Sequence, residues 1–345
     1  MNKKIFKILP LLIFLFIVNG IVLPQNDKGE KEKLAQTGFQ FLSVGTSARA
    51  TALGEAYTTY EGHSEALFYN PAGLARMNSF LGIAFNQMNW IADIKYYSGS
   101  FSFNFEEGKY GVFGLSFLSI DYGKFYWTQV DPASEKGYKD IGAGWAKPTA
   151  YAIGLGYAKE LSDKFSVGGQ IKYVKQKLGT SIIPVYKGFD ELVGTEEQDY
   201  ALGVLAFDFG TLYKTGFKSL VFGMSVRNFA QELKYEKESF QLPLTFKIGI
   251  SFNLIDFFPE MQENHSFLVS LDAAHPRSHP EYIAIGGEYI FMNMFSIRGG
   301  YVSGQDLYSY SVGFGIRTFG FQFDYAFTPF DVFNNVHRFS IGFAY

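Results

Sequence analysis

Histidines, acids and serines are where chemistry would start, and in this chain their spacing works against it. His275 and His279 stand four apart, a separation that aligns two metal ligands on a helix. Pro276 and Pro280 beside them deny that helix, so the pair reads as loop. We find no serine, histidine and acid that a shared strand register would bring together as a triad. Gly313-Phe314-Gly315 lacks the turn and following helix of a phosphate-binding loop. Cysteine is absent, which removes disulfides, thiolate metal sites and a lipoprotein anchor. The formal charge of −3 becomes −6 once Lys3, Lys4 and Lys7 leave with a leader, so nucleic acid is a poor partner. The expectation is a protein that is no enzyme and uses no cofactor or metal. Its internal charges, Arg49, Lys172, Lys247, Arg298, Arg317, Asp324 and Arg338, then belong to salt bridges and hydrogen bonds inside the fold.

The elements that would hold those charges are strands. The chain has 345 residues, 19% aromatic, with 37 glycines, 38 phenylalanines and 23 tyrosines, and a mean hydropathy of +0.01. Alternation is explicit. Tyr97, Phe101, Phe103 and Phe105 oppose Ser98, Ser100, Ser102 and Asn104. Leu244, Phe246, Ile248, Ile250, Phe252 and Leu254 oppose Thr245, Lys247, Gly249, Ser251 and Asn253. Phe319, Phe321, Phe323, Tyr325 and Phe327 oppose Gly320, Gln322, Asp324 and Ala326. Period two sustained over about ten residues fits a membrane-spanning strand. A soluble sandwich would need an unusually large core to bury such faces.

About fourteen strands are predicted, near 80–90, 94–105, 109–121, 149–161, 164–177, 198–213, 218–229, 243–254, 265–275, 280–291, 294–303, 308–317, 319–328 and 337–345. Short turns at 106–108, 162–163, 214–216 and 292–293 fall at every second connection. Long loops, 122–148, 178–197 and 230–242, fall between them, the asymmetry of a transmembrane barrel. The connection 255–264 is long for the side of short turns.

Before the strands, residues 1–20 read as a signal peptide and 21–38 as a charged lead-in. Residues 39–78 read either as a plug inside the barrel (79–345) or as a decoration with two surface helices. Ser47 to Gly54 is a small-residue helix that carries Arg49 and stops at Gly54. Asn70 is placed to cap a second helix, with Pro71 at its first position and Gly73 inside it. Phe343 and the terminal Tyr345 end the last strand on its aromatic face.

Phe41-Leu42-Ser43-Val44-Gly45-Thr46-Ser47-Ala48-Arg49-Ala50, then Ala52-Leu53-Gly54-Glu55-Ala56-Tyr57 and Tyr69-Asn70-Pro71-Ala72-Gly73-Leu74, resemble the opening motif of the PorV/PorQ family. Phe323-Asp324-Tyr325-Ala326-Phe327-Thr328-Pro329-Phe330 and His337-Arg338 resemble its closing hairpin. Gly54-Glu55 stands where members usually have two glycines, and Gly62-His63-Ser64 where they have acidic residues. The resemblance covers essentially the whole mature chain. It implies a FadL-like all-β outer-membrane barrel, plugged from its N-terminus and working in type IX secretion. The implied partners are outer-membrane lipid, secreted cargo, surface attachment machinery and the barrel-insertion machinery, which would read Phe343 and Tyr345. Phe125, Tyr126, Trp127, Tyr138 and Trp145 in the loop 122–148 are candidates for binding a partner or for an aromatic girdle. A FadL-like channel for hydrophobic small molecules is the other reading, and the lining of the lumen should discriminate.

Overall fold

The computed structural model describes residues 37–345 apart from 131–133, 188–190, 259, 261, 305–307 and 331–332, so the expected leader and nearly all the lead-in lie outside the described residues. In chain order the first strands are β1 (Leu81–Asn89), β2 (Lys95–Asn104) and β3 (Val112–Asp121), then β4 (Phe125–Val130) and β5 (Tyr138–Ala146). Next come β6 (Thr149–Ser162), β7 (Phe165–Lys187), β8 (Glu191–Lys214) and β9 (Val221–Ala230), followed by the short β10 (Leu233–Lys234) and β11 (Ser239–Phe240). The series ends with β12 (Thr245–Asn253), β13 (His265–Pro276), β14 (Tyr282–Phe291), β15 (Phe295–Val302), β16 (Tyr310–Thr318), β17 (Phe321–Thr328) and β18 (Val336–Ala344). Fourteen of these close into an antiparallel barrel, with β4–β5 and β10–β11 as separate two-stranded sheets.

Alternation sorts the two faces as period two requires. On β2, Ser98, Ser100 and Ser102 are buried while Tyr97 is exposed. Phe113, Leu115 and Phe117 on β3, and Ile153, Leu155 and Tyr157 on β6, all point out of the barrel and are exposed. An outer surface this apolar has its natural solvent in lipid, and no helix among the described residues is long and apolar enough to cross a membrane. The strands do the crossing.

Closure joins the ends of the sequence. β1 pairs with β18 from Gly82↔Ala344 to Asn89↔His337. Backbone bonds of 2.9 Å in both directions between Leu81 and Tyr345 extend that seam to the last residue.

Two loop expectations are corrected. Residues 178–197 continue the strands β7 and β8, which are 23 and 24 residues long, with register shifts between Lys177 and Gly179 and between Val185 and Tyr186. Leu178-Gly179 breaks the alternation, which makes the strand look finished, but Thr180, Ile182, Ile183, Val193 and Thr195 sustain pairing beyond it. Residues 122–148 are likewise largely a paired ribbon, β4–β5. The connection after β12 begins with a 3₁₀ turn, Leu254–Phe257, whose cap Asn253 accepts from the Ile255 amide.

Residues 39–77 form an inner segment against the inward faces of the wall. It contains 3₁₀ turns at Gln40–Ser43, Ser64–Phe68 and Pro71–Arg76 and one short helix, α1 (Ala48–Ala52). The predicted Asn70 cap forms, accepting from the Ala72 amide with Pro71 following, and Ser47, expected inside the first helix, caps it instead by accepting from the Ala50 amide. Small residues let backbone meet backbone. A Cβ on Gly300 of β15 would lie 2.0 Å from the Gly54 nitrogen, and one on Gly168 of β7 would lie 2.5 Å from the Pro71 carbonyl carbon. The two-surface-helices reading does not describe this segment, because α1 is buried at every position.

Candidate functional site

The inner segment is held by polar groups that the strands present inward. Glu288 on β14 accepts from both sides: Arg49 of α1 donates through Nε at 3.0 Å and Nη2 at 2.7 Å, and Arg298 of β15 donates through Nε at 2.6 Å. Arg298 also donates to Asp324 of β17 at 2.7 Å, so two cations and two carboxylates close a buried cluster. Arg49 lies over the Tyr60 ring, 4.9 Å from its centre, with His63 Nε2 2.7 Å from its Nη1. Charges this deep are tolerated only when paired, and the pairing spans segment and wall.

Other anchors repeat the theme. Asp272 of β13 accepts from the Tyr57 and Thr58 amides at 3.0 Å each and from the Thr58 hydroxyl at 2.6 Å. Lys247 donates to the Glu55 carbonyl at 3.1 Å, and Arg338 to the Gly45 carbonyl at 3.2 Å. Asn70, besides capping, donates to the carbonyls of Thr58 at 2.7 Å and Thr211 at 3.1 Å. Gly54 has φ 63°, and a side chain there would meet the Tyr301 backbone at 3.0 Å. Gly73 is packed as tightly, since a Cβ would sit 2.3 Å from the Tyr60 carbonyl oxygen.

Arg49, Lys247, Arg298, Asp324 and Arg338 thus meet partners inside the barrel as their polar-face positions predict. Lys172 bonds within the wall, to Asp208 at 2.7 Å and Asn228 at 2.6 Å. Arg317 sits exposed at the chain-terminus end and donates to Gln322 at 2.8 Å. Sequence reasoning singled out the cations but missed the carboxylates Glu288 and Asp208 that pair with them, and Asp272, which accepts from Tyr57 and Thr58. The signal was present: Ala284, Gly286 and Glu288 share the small-residue face of β14, which points inward.

Two cavities border the segment. One of about 40 Å³ lies between Leu42, Val44, Leu67, Tyr69 and the wall at Lys172 and Asp208. The other, about 310 Å³, opens at the chain-terminus end between Glu65, Arg76 and Met77 and the small inward residues Gly82 and Gly342.

At the opposite end the ribbon β4–β5 carries Phe125, Tyr126 and Tyr138, all exposed. The side chains of Trp127 and Trp145 lie outside those described. Phe343 packs on Phe321 with ring centres 4.7 Å apart, while Tyr345 is exposed beside the closing seam.

The barrel is similar to the Ralstonia pickettii toluene transporter TbuX, at 13% identity and a TM-score of 0.58 over 87% of this chain and 98% of that one. It is also similar to the monoaromatic hydrocarbon channel CymD (11%, 0.54, 88% and 98%) and the Pseudomonas putida toluene transporter TodX (12%, 0.53, 86% and 96%). At such identities the likeness is one of fold. No curated protein matches the chain by sequence. A family model for the type IX secretion system membrane protein PorP/SprF matches residues 140–345, from within β5 to the closing strand. The opening motif pointed to the PorV/PorQ family instead. The matched family differs in name, and type IX secretion and the FadL-like barrel are what the two readings share. With well over half its length matched, the chain belongs to the PorP/SprF family of type IX secretion system membrane proteins.

Proposed function

We propose that this barrel resides in the outer membrane, exported by its leader, and binds secreted cargo for delivery to the surface attachment machinery, without catalysis or solute flux. Residues 39–78 act as its plug, and the β4–β5 and β7–β8 hairpins face outward. The observation that supports this reading is the packing of residues 39–77 against inward-facing wall residues. The inner segment is bonded to the wall all round, and the cavity beneath the hairpins is about 40 Å³, well short of the roughly 300–1,000 Å³ of a ligand pocket. Function then falls to the exposed ends, where the aromatics of β4–β5 are of the types that dominate binding hot spots.

A channel for hydrophobic small molecules is the second reading, favoured by the fold shared with toluene transporters and by the cavity of about 310 Å³ at the chain-terminus end. One deletion strain separates the two. Loss of surface attachment of secreted proteins with normal toluene uptake supports the cargo reading. Normal secretion with impaired uptake replaces it by the channel.

A further inference from the structure

Past Lys177 the barrel stops and one hairpin goes on. Pairing between β6 and β7 ends at Thr149↔Lys177, whereas β7 and β8 stay paired to Lys187↔Glu191. β9 pairs with β8 from Ala206 to Lys214. Among the described residues, β7 beyond 177 therefore has a strand on one side only. Its other edge looks toward the β4–β5 ribbon, a separate two-stranded sheet among the described residues. Between ribbon and edge lies an open cleft of about 560 Å³, bordered by Tyr126 and Thr128 of β4, Leu178 and Ser181 of β7, and Tyr200 of β8.

An open strand edge offers a row of N–H and C=O groups to any extended chain that can reach it. Pro184 has no N–H, which limits the usable edge to residues 178–183. The hairpin lies outside hydrocarbon, because it carries the exposed Lys177–Asp199 pair and the exposed Glu196 and Glu197. Its charge is acidic on balance. Between residues 177 and 199 the sequence has five acids (Asp190, Glu191, Glu196, Glu197 and Asp199) against two lysines, Lys177 and Lys187. Side chains alternate along an added strand, so one of its faces would rest on Leu178 and Tyr126 while the other stays in water.

We infer that this cleft receives an extended segment of a secreted protein, flanked by basic residues, which adds as a strand to the free edge of β7. This rests on the cargo-binding reading above and supplies its recognition mode: backbone hydrogen bonds hold the segment, apolar contacts set its register, and the acidic hairpin selects its charge. Because the edge reads backbone, many segment sequences are acceptable. That suits a carrier that serves more than one cargo.

The test uses the purified full-length protein in detergent and a labelled synthetic peptide of alternating valine and threonine with lysine pairs at both ends. Binding is read by fluorescence anisotropy. The lysine-flanked peptide should bind saturably, and its backbone N-methylated twin should bind roughly tenfold more weakly or worse, as loss of one or two hydrogen bonds at about 1 kcal/mol each requires. A glutamate-flanked twin should bind more weakly than the lysine-flanked one, with a gap that narrows as salt is raised. The surface variant E196K/E197K should reverse that preference without affecting the barrel. Equal binding of the N-methylated twin, absence of saturable binding, or an unreversed charge preference each overturns the inference. Any of these alongside loss of surface attachment in the deletion strain leaves the cargo-binding reading standing. Normal attachment in that strain removes the cargo-binding reading itself, whatever the peptide does.

Discussion

Replacing Glu288 by leucine tests whether the buried cluster holds the inner segment. The side chain of Arg49 is 6% exposed and that of Arg298 2%, so neither cation can turn to water when the carboxylate goes. Arg298 keeps Asp324 at 2.7 Å, whereas Arg49 keeps only His63 and the face of Tyr60. Breaking a buried pair from one side costs about 3–5 kcal/mol, mostly through the charge left behind. If that cost falls on docking of the segment, its open population rises by roughly a hundredfold or more, at about 1.4 kcal/mol per decade. Chymotrypsin reads this directly, since Tyr57 and Tyr60 are buried beside the cluster. When opening is fast relative to cleavage, the cutting rate follows the open population. The double variant R49M/E288L separates the ion pair from general damage. It leaves Arg298 on Asp324 and no unpaired cation, so it should cut more slowly than E288L alone. An E288L protein that is cut no faster than the native one, or a double variant at the sum of both single effects, would refute the argument.

Three further outcomes follow from the same contacts. Asn70→Ala removes a cap and two donors to backbone carbonyls, so the urea midpoint in detergent should fall by the equivalent of about 2–4 kcal/mol, and Asn70→Asp should lose at least as much, because a buried carboxylate oxygen would then face the Thr58 and Thr211 carbonyls. Glu65, on the inner segment rather than on a spanning strand, is pushed up to about 7 by burial and secondarily by Asp324. A carboxyl held above its unfolded value of about 4.5 favours the folded state at low pH, so stability should drop by on the order of 3 kcal/mol as pH rises from about 4.5 to about 7 and level off above, and Glu65→Gln should flatten the profile. Deleting residues 337–345 removes β18 and opens the seam at β1, and the protein should then fail to give a heat-modifiable barrel on gels, where normal modification would remove Phe343 and Tyr345 from the assembly signal.

Strand number and sidedness were legible because lipid and lumen impose opposite demands on neighbouring residues. Ser98, Ser100 and Ser102 opposite Tyr97, Phe101 and Phe103 leave one way for the strand to sit. The signal fades where the chain leaves the membrane, since neither face then needs to be apolar. Residues 178–187 and 191–197 are strand all the same, held by backbone pairing that polarity does not report. The ribbon β4–β5 escaped for the same reason, although Phe125 and Tyr126 were chosen for their chemistry.

Inside the barrel the limit was different. Arg49 and Asn70 could be picked out locally, one as a lone cation among small residues and the other by its cap geometry. Their partners could not, because Glu288 lies 239 residues beyond Arg49 and Thr211 141 beyond Asn70. Such distances are closed by the barrel, which brings inward positions of separate strands around one axis. The glycines state that closure in residue types. Gly168, Gly223, Gly286 and Gly300, on four different strands, each face inner-segment backbone closely enough to exclude a Cβ. Under the proposed plug reading, walls so fitted to one segment leave the ends of the barrel as the place to test for function.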